Sequence, residues 1–240
     1  MTHFSDGLAI GGAFTNPIVG SQGGFGIQTS QSCLLDIVPL TKNASAYAAL
    51  QTPAASAIAL AAGTGVSAVV VNNVTRFTAD AERCVTITSG GNDTGITFLV
   101  SGYNSYGQPQ TQTITGGSGA TVTTKKAFQS IVSVVPSGSV ASTVTVGTAD
   151  TFGLPIRTID KGYVSTLAWN GGLNDSGTFV VADQTSPATS LTGDTCGTYA
   201  PSSSSNGTSR LVVELIVSVA QSAAGPSTAA TTAILGVTSA

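Results

Sequence analysis

The chain has 240 residues, 41% hydrophobic and only 8% charged, with a net charge of −3. An ordinary soluble domain carries about 25% charged residues, so Ser, Thr, Asn, Gln and Gly must cover most of this surface. The basic residues are scattered, which argues against nucleic-acid binding through a charged patch; so low a charge suits a chain packed against copies of itself or a larger assembly.

The first residues, MTHFSDGLAIGGAF, have neither the basic start nor the long apolar run of a secretory signal. Synthesis in the cytoplasm without export is the expectation. Residues 1–65 are rich in Gly, Ala, Ser and Thr and show little alternation. They read as an extended N-terminal arm, which alone cannot offset the entropy of being ordered. Along it stand isolated apolar residues: Phe4, Leu8, Ile10, Phe14, Ile18, Phe25 and Ile27. Each can enter a separate pocket on a partner, so these seven are the candidate partner-binding residues. A short helix is predicted near 44–50, where alanine favours it, with Pro53 ending the pattern. The stretch AASAIALAAGTGVSAVVV is too broken by Gly, Ser and Thr to span a membrane.

From 66 to 220 the pattern is a series of strands. RCVTITS (83–89) sets Val85 and Ile87 on one face. ITFLVSGY (96–103) does the same with Ile96, Phe98 and Val100. A turn with Gly107 and Pro109 leads into QTQTITG (110–116). Then follow AFQSIVSVVP (127–136), STVTVGT (142–148), GYVSTLAWN (162–170), TFVVAD (178–183) and SRLVVELIVSVA (209–220), the last read as the most deeply buried. Short strands separated by Gly-rich turns predict an all-β fold, an antiparallel β-sandwich of jelly-roll or Ig-like type. Residues 221–240 read as an extended C-terminal tail.

Two phrases nearly repeat: GGNDTGITFLV at 90–100 and GGLNDSGTFVV at 171–181. Asp93-Thr94-Gly95 and Asp175-Ser176-Gly177 spell the triplets of pepsin-like proteases. Such a dyad needs each Asp to follow a buried strand, so that the carboxylates can share a proton. Here turn residues precede both. The better reading is two strand entries, each with an Asp accepting from an amide two residues on. His3, the single histidine, leaves no member for a Ser-His-Asp triad or a histidine metal site. Cys33, Cys84 and Cys196 lack metal-ligand spacing and read as buried thiols. Trp169 reads as core rather than as a sugar platform, and Lys125-Lys126 as a solvated strand edge. No catalytic residue, cofactor or metal is expected.

Order along the middle of the chain adds a resemblance. RCVTITSGGNDTGITFLVSGYNSYGQPQTQTITGG, TKKAFQSIVSVVPSG, TVTVGTADTFGLP and SPATSLTGDTCGTYAPSSSSNGTSRLVVELIV, over residues 83–217, resemble a group of tailed-bacteriophage virion structural proteins. The resemblance implies a component of a viral particle and supplies no catalytic residues. Two roles fit. One is a capsid decoration (cement) protein contacting the major capsid protein and copies of itself. The other is a tail or fibre component, able to recognise a host receptor or glycan. Neither involves nucleic acid or membrane.

Overall fold

The computed structural model describes residues 30–183 and 193–218. Its strands are β1 (Ser30–Ile37), β2 (Ala48–Gln51), β3 (Val66–Val71), β4 (Val74–Ser89), β5 (Thr97–Tyr103) and β6 (Pro109–Thr115). They continue as β7 (Thr121–Pro136), β8 (Val144–Gly153), β9 (Val164–Trp169), β10 (Gly172–Leu173), β11 (Thr178–Val181), β12 (Gly197–Ala200) and β13 (Leu211–Ser218). One short 3-10 helix, Lys161–Tyr163, is capped by the Asp160 carboxylate, which accepts from the Gly162 N–H. The all-β antiparallel class is as the sequence predicts.

Two sheets form. The smaller runs β1-β13-β9-β10 and the larger β11-β12-β8-β4-β7-β5-β6, with β2 added on β8 and β3 on β4. Strands β4 and β7 are 16 residues each. Their pairing shifts register between Thr78 and Arg83 and again between Cys84 and Thr86. Such bulges sharpen twist and bend long strands, and here the large sheet curls into a half-barrel against which the small sheet closes.

Two main cores result. The first gathers Val85 and Ile87 of β4, Phe98 and Val100 of β5, Phe128, Ile131 and Val134 of β7, and Val144 and Val146 of β8. The second joins Leu167 and Trp169 of β9 and Leu211, Val213 and Leu215 of β13 to Phe152, Leu154 and Tyr199. The face predicted for 83–89 is therefore inside, as is that of 96–103, with Phe98 and Val100 buried and Leu99 exposed. Trp169 is core, 6% exposed.

Four expectations need correction. The folded unit starts well before residue 66. Strand β1 pairs along its whole length with β13, and β2 lies on β8. Residues 43–63 cross the first core as its cover, with Ala46, Tyr47, Ala48 and Ile58 buried in it. That crossing depends on Gly147, where a Cβ would stand 2.1 Å from the Asn43 carbonyl oxygen. Secondly, no helix forms at 44–50. The backbone there bonds outward, Tyr47 N–H to the Val146 carbonyl and Ala61 N–H back to Tyr47, so tertiary partners override alanine's helix preference. Thirdly, β13 buries one face only; Ile216 is 40% exposed, whereas β4 is covered on both faces from Arg83 to Ile87. Fourthly, Lys126 is fully buried, because β7 lies between β4 and β5 rather than at an edge; Lys125 alone is solvated.

Candidate functional site

The seven candidate partner-binding residues, Phe4, Leu8, Ile10, Phe14, Ile18, Phe25 and Ile27, lie outside the described residues, as does the tail 221–240. The fold does fix where these segments attach. Ser30 pairs with Ser218, the first and last positions of the β1–β13 ladder. Both ends of the chain therefore join the fold side by side on one strand pair. Lower on that pair, Arg210 grips Asp36 through both its Nε and Nη2. This hydrogen bond and charge hold the Asp36 carboxyl below its usual range.

The two Asp-Gly phrases are not one turn used twice. In the first, Asn92 makes the local turn, its Oδ1 accepting from the Thr94 N–H and hydroxyl at 3.3 and 2.8 Å. Asp93 is fully buried and reaches across to the β7–β8 loop, where its Oδ1 accepts from the Ala141 N–H at 2.7 Å. In the second, Asn174 takes the left-handed backbone, φ 56°. Asp175 binds the Tyr199 hydroxyl and both the N–H (2.9 Å) and hydroxyl of Ser202. Partial burial works to raise the Asp175 pKa, but these hydrogen bonds outweigh it and the net shift is downward. Each carboxylate ties a distant loop to a strand entry, and the two share no hydrogen-bond partner. The expected contact to an amide two residues on belongs to Asn92 in the first phrase, whereas in the second Asp175 makes it as expected, accepting from the Gly177 N–H.

A clamp fixes the segment leaving β1. Arg83 is 1% exposed; its Nη2 donates to the Leu40 carbonyl at 2.6 Å and to Asp80 Oδ2 at 2.9 Å. The same Asp80 oxygen accepts from the Leu40 N–H at 2.7 Å. From the other side the Ser205 hydroxyl meets the Leu40 carbonyl and Asp150, and Lys42 pairs with Asp150 at 3.3 Å.

Beside the clamp lies an open groove of about 690 Å³, lined by Lys42, Asp150, Ser202 and the threonines at 86, 88, 121, 123 and 148. Thr88 and Thr121 face each other across strands, hydroxyl to hydroxyl, at 2.8 Å. The Thr86 hydroxyl is buried at the groove without a hydrogen-bond partner. Chemically this is a mixed surface, hydroxyls set among Ala44, Ala149, Ala200 and Pro201 with one ion pair at its wall, suited to a ligand without net charge.

A buried polar cluster lies within the larger sheet. Asp194 accepts from the N–H groups of Ala127, Cys196 and Gly197 at 2.8 to 3.1 Å. Burial nonetheless raises its pKa. The Lys126 ammonium donates to the Thr111 carbonyl at 3.0 Å, and burial lowers its pKa against the pull of Asp194 and Asp183. Glu82 stands in a cavity of about 200 Å³ between Leu35 and Ile37 of β1 and Gln129 and Gly153 of the large sheet. Burial pushes its pKa up to about 8. The three thiols are free; Cys84 and Cys196 are buried and Cys33 half-buried. Burial raises the pKa of all three, that of Cys196 to about 12.

Sequence reasoning missed these charges, because Asp80, Glu82 and Arg83 sit in the polar stretch TADAER, which lies ahead of the alternating RCVTITS pattern. Among the described residues, no group of three or more His, Cys, Asp or Glu is placed to hold a metal ion. No protein-family model, curated protein or solved structure matches the chain.

Proposed function

We propose that the chain is a structural protein of a tailed-phage virion, a decoration protein that stabilises the head by contacting capsid subunits and neighbouring copies of itself. The observation that carries this is the pairing of Ser30 with Ser218. It sets the attachment points of the first 29 residues and the last 22 side by side at one end of a strand pair. A compact body with two segments rooted together can lay both on the same partner. The seven apolar residues from Phe4 to Ile27 then supply the contacts, at roughly 1.5–3 kcal/mol for each large side chain fully buried. Low charge and the order of motifs over residues 83–217 support the same reading, as does the clamp at Leu40, which would pass tension from the N-terminal segment into β4 and β8.

The test is removal of residues 2–29, which leaves β1 whole. The shortened protein should keep its fold and lose affinity for particles lacking the protein. Equal affinity of the folded short and full chains would remove the N-terminal segment as the anchor.

The groove supports a second reading, a tail or fibre component that binds a host glycan. Its hydroxyl lining and the unpaired Thr86 hydroxyl favour that role. Abundance in the particle separates the two, since a decoration protein approaches the copy number of the capsid subunit and a tail component is present in a handful of copies.

A further inference from the structure

Strand β3 runs Val66–Val71 and returns as β4 through Asn72-Asn73, both at positive φ, 52° and 62°. Val71 pairs with Val74, so this is a two-residue hairpin of the tight type that asparagine favours. In such a hairpin the residues flanking the turn bond each other, and every second residue does so thereafter. Ser67, Val69 and Val71 therefore bond to β4, and the N–H and C=O groups of Ala68 and Val70 point outward. Among the described residues, nothing pairs with that edge. Both faces of the strand are open too, with Ser67 to Val70 all exposed and Val70 at 68%.

Natural sheets protect their edges with charge, proline or brevity. The other edges here do so. Strand β1 carries Asp36, β6 opens on Pro109, and β2, β10 and β11 have four residues or fewer. The β3 edge has six residues and none of these devices. No charged residue occurs between Lys42 and Arg76, and Arg76 is held over the Tyr103 ring, 3.6 Å from its centroid.

We propose that β3 is the contact between copies of this chain, pairing antiparallel with β3 of a second copy about a two-fold axis at Val69. Ala68 then faces Val70 of the other copy, and the outward groups of both strands are matched by four main-chain hydrogen bonds. Small opposes large at each flanking position, and an uncharged edge meets its own copy without repulsion. The strip is about 20 Å long, so the area buried falls well short of the roughly 1,200 Å² of a stable interface. The pairing is weak in dilute solution and becomes effective among copies held side by side. The inference rests on the self-association in the reading above and names its surface.

Cysteine cross-linking tests it in the isolated protein. At the centre, Val69 meets Val69 of the other copy as a non-bonded pair, Cα atoms about 4.5 Å apart, within disulfide reach. In concentrated protein under mild oxidant, Val69→Cys should give a dimer through a disulfide joining position 69 of the two copies, identified by peptide mass spectrometry. Ser67→Cys faces position 71 of the other copy and should stay at the wild-type background. Val70→Pro added to Val69→Cys removes an outward N–H that the hairpin does not use and should abolish the dimer; Val70→Lys serves if the proline variant fails to fold. A Val69→Cys yield at background, equal yields at 67 and 69, or a yield unchanged by the added substitution would overturn the pairing. None of these results depends on a particle, so particle binding by the N-terminal segment stands or falls separately.

Discussion

Glu82 should make this protein less stable as the solution turns alkaline. Its carboxyl lies in the cavity between the sheets, with Ser105 as hydrogen-bond partner and a pKa of about 8 against an ordinary 4.5. Gly153 makes the room, since a Cβ there would stand 2.9 Å from the Glu82 Cδ. The folded state holds the proton over a pH range where the unfolded chain has lost it. Folding stability is then greatest below about pH 4.5, falls as pH rises towards about 8, and is level above. The full shift corresponds to at most about 5 kcal/mol, a large part of the roughly 5–15 kcal/mol of a typical domain. Urea unfolding followed through Trp169, the single tryptophan and 6% exposed, reads this directly. Glu82→Gln keeps an amide for Ser105 and has no proton to lose. Its stability should exceed that of the wild type above about pH 8, the gap closing towards about pH 5. Asp194, also raised by burial and interacting with Glu82 through charge, leaves a residual slope in Glu82→Gln. Parallel profiles from about pH 5 to 9 for wild type and Glu82→Gln would refute the reasoning.

Arg83→Met should destabilise by about 1–3 kcal/mol, because the buried guanidinium's bonds to Asp80 and the Leu40 carbonyl are lost while those acceptors keep the Leu40 N–H and the Ser205 hydroxyl; chemical denaturation measures it, and a loss under about 0.5 kcal/mol would mean that water replaces the guanidinium. Asp93→Asn should change stability little, since the amide oxygen can still accept from Ala141, whereas Asp93→Ala should cost about 1–3 kcal/mol; thermal melts of the two variants decide. For the thiols, a disulfide reagent at neutral pH should modify half-buried Cys33 first and reach Cys84 and Cys196 only on unfolding. Three equal rates in the folded protein would contradict their burial.

Strands β5 and β6 and the later halves of β4 and β7 are legible because alternation and turn residues coincide there, as in TFLVSGY running into the Gly107 turn. Strand β1 also alternates, with Cys33, Leu35 and Ile37 inward, but it follows a long Gly- and Ser-rich stretch and so reads as part of an arm. The cover at 43–63 has no periodicity to read. Its residues Ala46, Tyr47 and Ala48 are buried consecutively, so no alternation marks which side faces the core. The β3 hairpin carries a usable signal, Asn-Asn between two valine runs, that alanine-rich composition upstream obscures. Of the candidate sites, the Asn-Asp phrases do stand at strand entries and Asp175 makes the expected local contact to Gly177, yet Asp93 and Asp175 also find partners 48 and 27 residues away. Sequence spacing holds no record of such contacts.

The measurement that bears most directly on the proposed role is the abundance of this chain in purified virus particles, the particles the proposal assigns it to, set against their major capsid protein by quantitative mass spectrometry. A decoration protein predicts copies comparable in number to the capsid subunits, lost together when residues 2–29 are removed. A handful of copies per particle, or absence from the particle, would contradict it.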